Sequence, residues 1–201
     1  TSVGEDAFIY CTRLTSVTIP NSVTSIGIEA FYGCTGLTSV TIPKSVTSID
    51  AQAFGGCTGL TAIDLKPLDK VTSVGSYFLS GCAGLTSVDL VAPNLTSIGS
   101  SFLWGCTSLP HIDLSSFGNV TKVGGFLLAE CTALTSVDLL PMISVREFTE
   151  RGSLHACNQL SRVRLCPALL LDPDVEQRLK DLHHATAASF ESVTAAGAAA
   201  A

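Results

Sequence analysis

The sequence has little charge, few aromatic residues and no long apolar run. Of its 201 residues, 14% are charged and 6% are aromatic, and 11 Lys+Arg stand against 17 Asp+Glu, a net charge of −6. An acidic chain lacks the basic surface that binds phosphates, so we expect no nucleic acid partner. No stretch approaches the roughly 18 apolar residues of a membrane-spanning helix, so we expect no membrane insertion of this segment.

What the sequence has instead is an internal repeat. Seven cysteines follow one another at spacings of 23, 23, 25, 24, 25 and 26 residues, and each begins the pattern Cys-x-x-Leu-x-x-Val/Ile-x-Ile/Leu. A unit of this length cannot bury its own apolar face, so the units must stack on one another. The seven repeat cysteines are Cys11, Cys34, Cys57, Cys82, Cys106, Cys131 and Cys157.

Each unit predicts short elements of secondary structure. The alternating apolar pair at its end predicts a strand, Pro20 and Pro43 end that strand in the first complete units, and a second extended piece follows, as at 23–26. The stretch 28–33 has the spacing of a helical turn. The fold class predicted is an α/β repeat solenoid of about seven units, with rungs about 4.8 Å apart.

A column of aromatic residues recurs just before the cysteines. Its regular position predicts an aromatic spine inside the stack, and in the seventh unit Leu154 takes the aromatic slot. The predicted members of the spine are Phe8, Phe31, Phe54, Phe78, Phe102 and Phe126.

The sequence of the repeat resembles that of a known family. The segment Ile26–Pro43, with Gly27, Phe31, Cys34, Leu37 and the ending Thr41-Ile42-Pro43, is similar to the BspA-like leucine-rich repeat family, and the likeness covers about Thr1 to Leu165. The resemblance implies a leucine-rich-repeat stack in a surface or secreted protein of bacteria or single-celled eukaryotes, with roles in adhesion and no catalytic residues. The later units depart from the family's Thr-Ile-Pro ending and carry Asp-Leu.

The two ends of the chain differ from the repeats. Thr1–Gly4 aligns with Thr24–Gly27, in mid-repeat, so we expect further repeats or an N-terminal cap before it. The solenoid is assigned to 1–165. A capping segment with a helix follows at 166–184, and an Ala-rich flexible tail at 185–201.

The repeat cysteines favour a buried ladder of reduced thiols, because one cysteine recurs at an equivalent place in each unit. Two alternatives remain. A Cys157–Cys166 disulfide would tie the cap to the last unit, and a zinc site would use His155, His183 or His184, although no C-x-x-C pair is present. We expect no metal and no cofactor.

The residue between the two inward apolar positions of each strand is expected to point outward. This column reads Thr18, Thr41, Asp64, Asp89, Asp113, Asp138 and Arg164. Its four consecutive aspartates have three interpretations: a solvated acidic face, a surface for a basic partner, or a calcium site, which a flat face disfavours because calcium needs several converging oxygens. Arg162 and Arg164 are expected to neutralise Asp138.

Two further patterns concern chemistry. His111 shares a strand face with Asp113, and Ser87 and Ser136 occupy its column, but an open repeat face offers no oxyanion hole or water-excluding pocket, so we expect no enzyme. Asn94 and Asn119 each begin an Asn-x-Thr sequon and are candidate glycosylation sites.

The function predicted is a non-enzymatic protein–protein interaction module, of the cell-surface or secreted adhesion type. The alternative is an intracellular, cytoplasmic repeat scaffold or regulator. The partner is expected to be a protein or a cell-surface ligand, with a basic partner favoured by the aspartates. The candidate binding face comprises Asp64, Asp89, His111, Asp113, Asp138, Arg162 and Arg164.

Overall fold

The computed structural model describes residues 1–66, 68–148 and 152–164, which form a parallel β-solenoid of about seven turns. Equivalent residues of successive repeats pair directly, as Val17 pairs with Val40 and Val40 with Ile63. The repeat period therefore sets the strand register. The strands in chain order are β1 Ser2–Val3, β2 Ser16–Thr18, β3 Ser25–Ile26, β4 Ser39–Thr41, β5 Ser48–Ile49, β6 Ala62–Leu65, β7 Ser73–Val74, β8 Ser87–Leu90, β9 Ser97–Ile98, β10 Lys122–Val123, β11 Ser136–Asp138, β12 Glu147–Phe148 and β13 Arg162–Arg164.

The strands form two stacks along the solenoid. The face ladder consists of a four-stranded sheet, β2-β4-β6-β8, and a two-stranded sheet, β11-β13. The second ladder is one seven-stranded sheet, β1-β3-β5-β7-β9-β10-β12. Within the described residues, three 3₁₀ helices lie between strands of the two ladders, at Leu68–Lys70, Phe117–Asn119 and Leu140–Met142. The second extended pieces predicted at 23–26 and 46–49 are thus confirmed as the short strands β3 and β5.

The face ladder is interrupted at the fifth turn, where Pro110 replaces a threonine. In other turns the equivalent N–H donates to the carbonyl one repeat earlier, as from Thr61 to Thr38 at 3.2 Å and from Thr86 to Thr61 at 2.9 Å. The Thr86 hydroxyl also donates to that carbonyl, at 3.0 Å. Proline offers neither group, so no strand forms at 111–114.

Pro110→Thr is expected to extend the face ladder through the fifth turn. It adds a backbone and a hydroxyl donor toward the carbonyl of Thr86, and each such bond contributes about 1 kcal/mol. Part of this gain is offset, by about 0.5 kcal/mol, because the unfolded chain becomes more flexible. Urea unfolding of Pro110→Thr and of Pro110→Ala, which restores only the N–H, separates the contribution of the backbone bond from that of the hydroxyl bond. A variant no more stable than the wild type would contradict this cause of the interruption.

The segment before each cysteine is not the helical turn that the spacing of 28–33 predicts. Alternate N–H groups bond locally, as from Tyr32 to the carbonyl of Glu29 at 2.9 Å. The intervening ones donate to a neighbouring turn, as from Phe31 to the carbonyl of Ala53 in the next turn at 2.9 Å and from Leu103 to that of Phe78 in the previous turn at 3.1 Å. Glu29 and Gly33 have positive φ, of 53° and 68°. The described residues contain no α-helix, so the α/β assignment gives way to a β-solenoid there, and the predicted helical cap lies outside them.

The aromatic spine is present but its sixth member is wrong. Phe8, Phe31 and Phe54 stack with centroids 5.1 Å apart. Phe126 is 41% exposed and Leu127 is fully buried in its place, because Leu127 has the same distance to its cysteine as Phe102. The aromatic ring that contacts Phe102 on this side is that of Phe117, which begins a 3₁₀ helix and meets Phe102 edge-on at 6.1 Å. Leu154 is buried, as predicted.

Candidate binding face

The outward column of the face ladder is accessible along its length. Its residues alternate with buried apolar ones, so that in β6 Ile63 and Leu65 face the core while Asp64 faces solvent. Thr18, Thr41, Asp64, Asp89 and Asp113 are exposed, and Asp138 and Arg164 are half-buried. The neighbouring outward column is also open and carries the exposed His111 and Arg162. The structure therefore places five of the candidate residues on strands of the face ladder and His111 and Asp113 in the exposed turn where that ladder is interrupted.

The aspartates have a local role that sequence reasoning missed. In three turns the carboxylate accepts the N–H two residues later: Lys66 donates to Asp64 at 3.0 Å, Ser115 to Asp113 at 2.8 Å and Leu140 to Asp138 at 2.9 Å. Such a bond closes an Asx turn at the end of the strand. The signal was in the sequence, because the units with threonine in this column, such as Thr41-Ile42-Pro43, have proline two residues later and therefore no N–H that could donate.

Two ion pairs cross the acidic column. Asp64 and Asp89 are adjacent in register, where like charges repel, and the Lys66 ammonium lies 3.0 Å from Asp89 Oδ2. The Arg164 guanidinium lies 2.7 Å from Asp138 Oδ2. The column thus changes from neutral threonines through carboxylates to a basic end. Lys66 was not among the predicted residues, although it follows Asp64 by two positions.

Asp113→Ala is expected to lower the free energy of unfolding by about 1 kcal/mol, because the Ser115 N–H loses its acceptor. Asp113→Asn keeps an oxygen at that place and should cost less. The same N–H holds the pKa of the Asp113 carboxyl below its ordinary value. The stabilisation by the charged form is therefore present above the ordinary pKa and is lost as the pH falls through the lowered one.

Urea unfolding of both variants at neutral pH and below about pH 4 tests this assignment. The difference in the free energy of unfolding between the wild type and Asp113→Asn should become smaller in acid. Equal stability of the Ala and Asn variants would show that the turn bond contributes nothing.

His111 lies at the interruption of the face ladder. In the described part of the chain it makes no hydrogen bond to Ser87 or Ser136, which belong to the turns on either side. Nor do the described residues contain a group of three or more His, Cys, Asp or Glu side chains placed to hold a metal ion. Of the zinc alternative, His155 is exposed, and His183 and His184 lie outside the described residues.

The cysteines form a ladder beneath the turns. Each thiol from Cys34 to Cys157 donates to the backbone carbonyl three residues before the previous cysteine, at 3.0–3.3 Å, as Cys82 does to Phe54 at 3.2 Å. Cys34, Cys57, Cys82, Cys106 and Cys131 are free and buried, and Cys11 is free and exposed. Burial raises the pKa of Cys82 and of Cys131 to about 12. The proposed partner Cys166 lies outside the described residues.

The two sequon asparagines sit at equivalent places in consecutive turns. The side-chain amide of Asn94 donates to the carbonyl of Asp69 at 2.6 Å, and that of Asn119 to the carbonyl of Pro93 at 2.7 Å. Both residues are exposed. They therefore tie neighbouring turns together at the surface.

The comparisons with known proteins agree with this geometry. The family model for the BspA type leucine rich repeat region matches this sequence in six copies, over residues 1–135 and 67–169. The chain belongs to this BspA-type family. Leucine-rich repeats of this kind are protein-interaction modules and are typically non-enzymatic scaffolds. No curated protein gives a significant match.

Several solved structures are similar to this BspA-type chain. The T. pallidum leucine rich repeat protein is 25% identical with a TM-score of 0.69, over 95% of this chain and 78% of that one. A leucine-rich repeat protein from Bacteroides ovatus is 20% identical with a TM-score of 0.42, over 83% and 59%. A leucine rich cell surface protein from Faecalibacterium prausnitzii is 23% identical with a TM-score of 0.43, over 81% and 56%. Within the described residues, no helix is long and apolar enough to cross a bilayer.

Proposed function

We propose that this chain is a non-catalytic binding module that presents its face ladder to a protein or cell-surface ligand, as an adhesion-type protein outside the cell. The observation that carries the proposal is the outward row from Thr18 to Arg164, which is exposed as far as Asp113 and half-buried at Asp138 and Arg164, and is held on a buried core. A polar row supported by a packed core suits contact with another macromolecule. The resemblance to BspA-like proteins supports the surface location.

The charges along the outward row favour a partner whose basic groups contact the middle of the row, at Asp64 to Asp113. Among the described residues, Asp64 and Asp113 have no charged lysine or arginine side-chain nitrogen within 4.0 Å, whereas Asp89 and Asp138 each have one. Opposite charges on the partner would complete these two positions and would raise the rate of association at low salt. His111 and Arg162 complete the proposed contact surface, and Asn94 and Asn119 remain proposed glycosylation sites.

The location is tested by labelling cells of the source organism with an antibody to the repeats. Staining of intact cells supports the surface assignment. Staining only after permeabilisation favours the intracellular scaffold.

The binding face is tested with beads coated with the purified chain. Asp64→Asn with Asp113→Asn removes two charges and keeps both turn acceptors, so the fold is expected to persist. Asp50→Asn with Asp69→Asn removes two exposed charges outside the column and is the matched control. The proposal is supported if beads carrying Asp64→Asn with Asp113→Asn attach less to intact cells while beads carrying the control variant attach like the wild type. Equal attachment of wild type and both variants contradicts it.

A further inference from the structure

A groove borders the face ladder at the end of β4. Its volume is about 520 Å³, and a second groove of about 280 Å³ adjoins it, sharing Asn21, Thr41 and Pro43. Because Thr18 and Thr41 of the outward column line these grooves, a ligand lying on the face ladder reaches them directly. The residues that line the larger groove and could contact a ligand through their side chains include Asn21, Thr41, Pro43, Lys44, Ser45 and Lys70.

Two lysines give this groove a charge opposite to that of the chain as a whole. Lys44 and Lys70 come from neighbouring turns, and both are exposed. No described carboxylate lies within 4.0 Å of either ammonium, whereas Lys66, Lys122 and Arg164 each have such a partner. The groove is therefore a place where two positive charges meet without neutralisation, on a chain of net charge −6.

The groove also offers polar and apolar contacts. The Ser45 hydroxyl is shielded from water and has no hydrogen-bond partner among the described residues. Since an unpaired buried hydroxyl is costly, a hydrogen bond from an incoming group to this lining residue would be favourable. Asn21 and Thr41 add an amide and a second hydroxyl, and the ring of Pro43 gives an apolar wall.

We propose that this groove binds a short acidic segment of the partner protein, with a carboxylate held between Lys44 and Lys70. The mixture of apolar wall, hydrogen-bonding groups and two charges suits a peptide better than a polyanion. A long polyanion would have to follow the ladder past Asp64, Asp89 and Asp113, which repel it. This inference rests on the proposed function, since it names a second contact of the same partner.

The test uses a displayed library of random peptides, selected on the wild-type chain. Peptides rich in Asp and Glu are expected, and their affinity should fall about tenfold or more for Lys44→Gln with Lys70→Gln, because charge-assisted bonds are lost. Lys122→Gln, on the second ladder, is the control and should bind like the wild type. Both replaced groove residues are exposed, so the variants are expected to fold, and circular dichroism checks this.

Three outcomes would overturn the inference. These are recovery of no binding peptides, recovery of peptides without acidic enrichment, and equal binding by the groove variant. Retention on heparin that depends on Lys44 and Lys70 would assign the groove to a polyanion instead. The bead assay separates this failure from failure of the proposed function: if only the groove is wrong, Asp64→Asn with Asp113→Asn still reduces attachment to cells while the lysine variant does not.

Discussion

Phe54→Ala is expected to lower the free energy of unfolding by about 3–5 kcal/mol. Phe54 is fully buried, stacks on Phe31 with centroids 5.1 Å apart and meets Phe78 edge-on at 6.2 Å. Truncation therefore leaves a cavity that both neighbouring turns line. In a solenoid, stability depends on contacts between adjacent repeats, so the loss weakens the coupling of the turns before and after the third one.

Tyr77→Ala is the matched control for this prediction. Tyr77 also belongs to a segment before a cysteine, but it is 46% exposed, and we expect its removal to change stability by less than about 1 kcal/mol. Urea unfolding followed by circular dichroism measures both variants. A Phe54→Ala variant as stable as Tyr77→Ala would show that the aromatic column does not hold the turns together.

The repeat period predicts the stack because it fixes the vertical neighbours. In a solenoid each residue lies beside its equivalent one repeat away, so the spacing of the cysteines already pairs Ser39 with Ala62 and Thr41 with Asp64. The alternation of apolar residues then decides which side chains face the core. For this reason the outward column can be predicted from the sequence alone.

The conformation of the segment before each cysteine does not follow from the sequence in the same way. The spacing of Ala30, Phe31 and Cys34 fits a helical turn, but half of the N–H groups bond to the next turn, which local spacing does not reveal. Residues such as Glu29 and Gln52 adopt positive φ although they have a Cβ. The contacts between turns thus outweigh the local preference of these side chains.

The misplacement of Phe126 has a related cause. The sequence prediction aligned Phe126 with the other phenylalanines by residue type. In the structure, the number of residues before the cysteine decides which side chain is buried, and this number is one larger for Phe126 than for Phe102. Phe126 then falls on a position with φ of 58°, and its side chain leaves the core. Counting from the buried cysteine, rather than matching aromatic residues, would have selected Leu127.

The free cysteines are expected to differ sharply in their reaction with iodoacetamide. Cys11 is exposed and should be alkylated in the native chain, whereas Cys82 should remain unmodified. Burial raises the pKa of Cys82 from 9.0 to about 12. Since the thiolate is the reactive form, this shift lowers the reactive fraction about a thousandfold at mildly alkaline pH, and the packing around the thiol slows reagent access further.

Mass spectrometry of peptides from native and urea-unfolded protein, both without reductant, measures this difference. Unfolding should expose every ladder thiol, so Cys34, Cys57, Cys82, Cys106 and Cys131 should all become labelled. Rapid native labelling of Cys82 would contradict its burial, and failure to label in urea would show that the thiols are oxidised. The expected result makes the ladder a structural element in which each buried thiol donates a hydrogen bond to the turn before it.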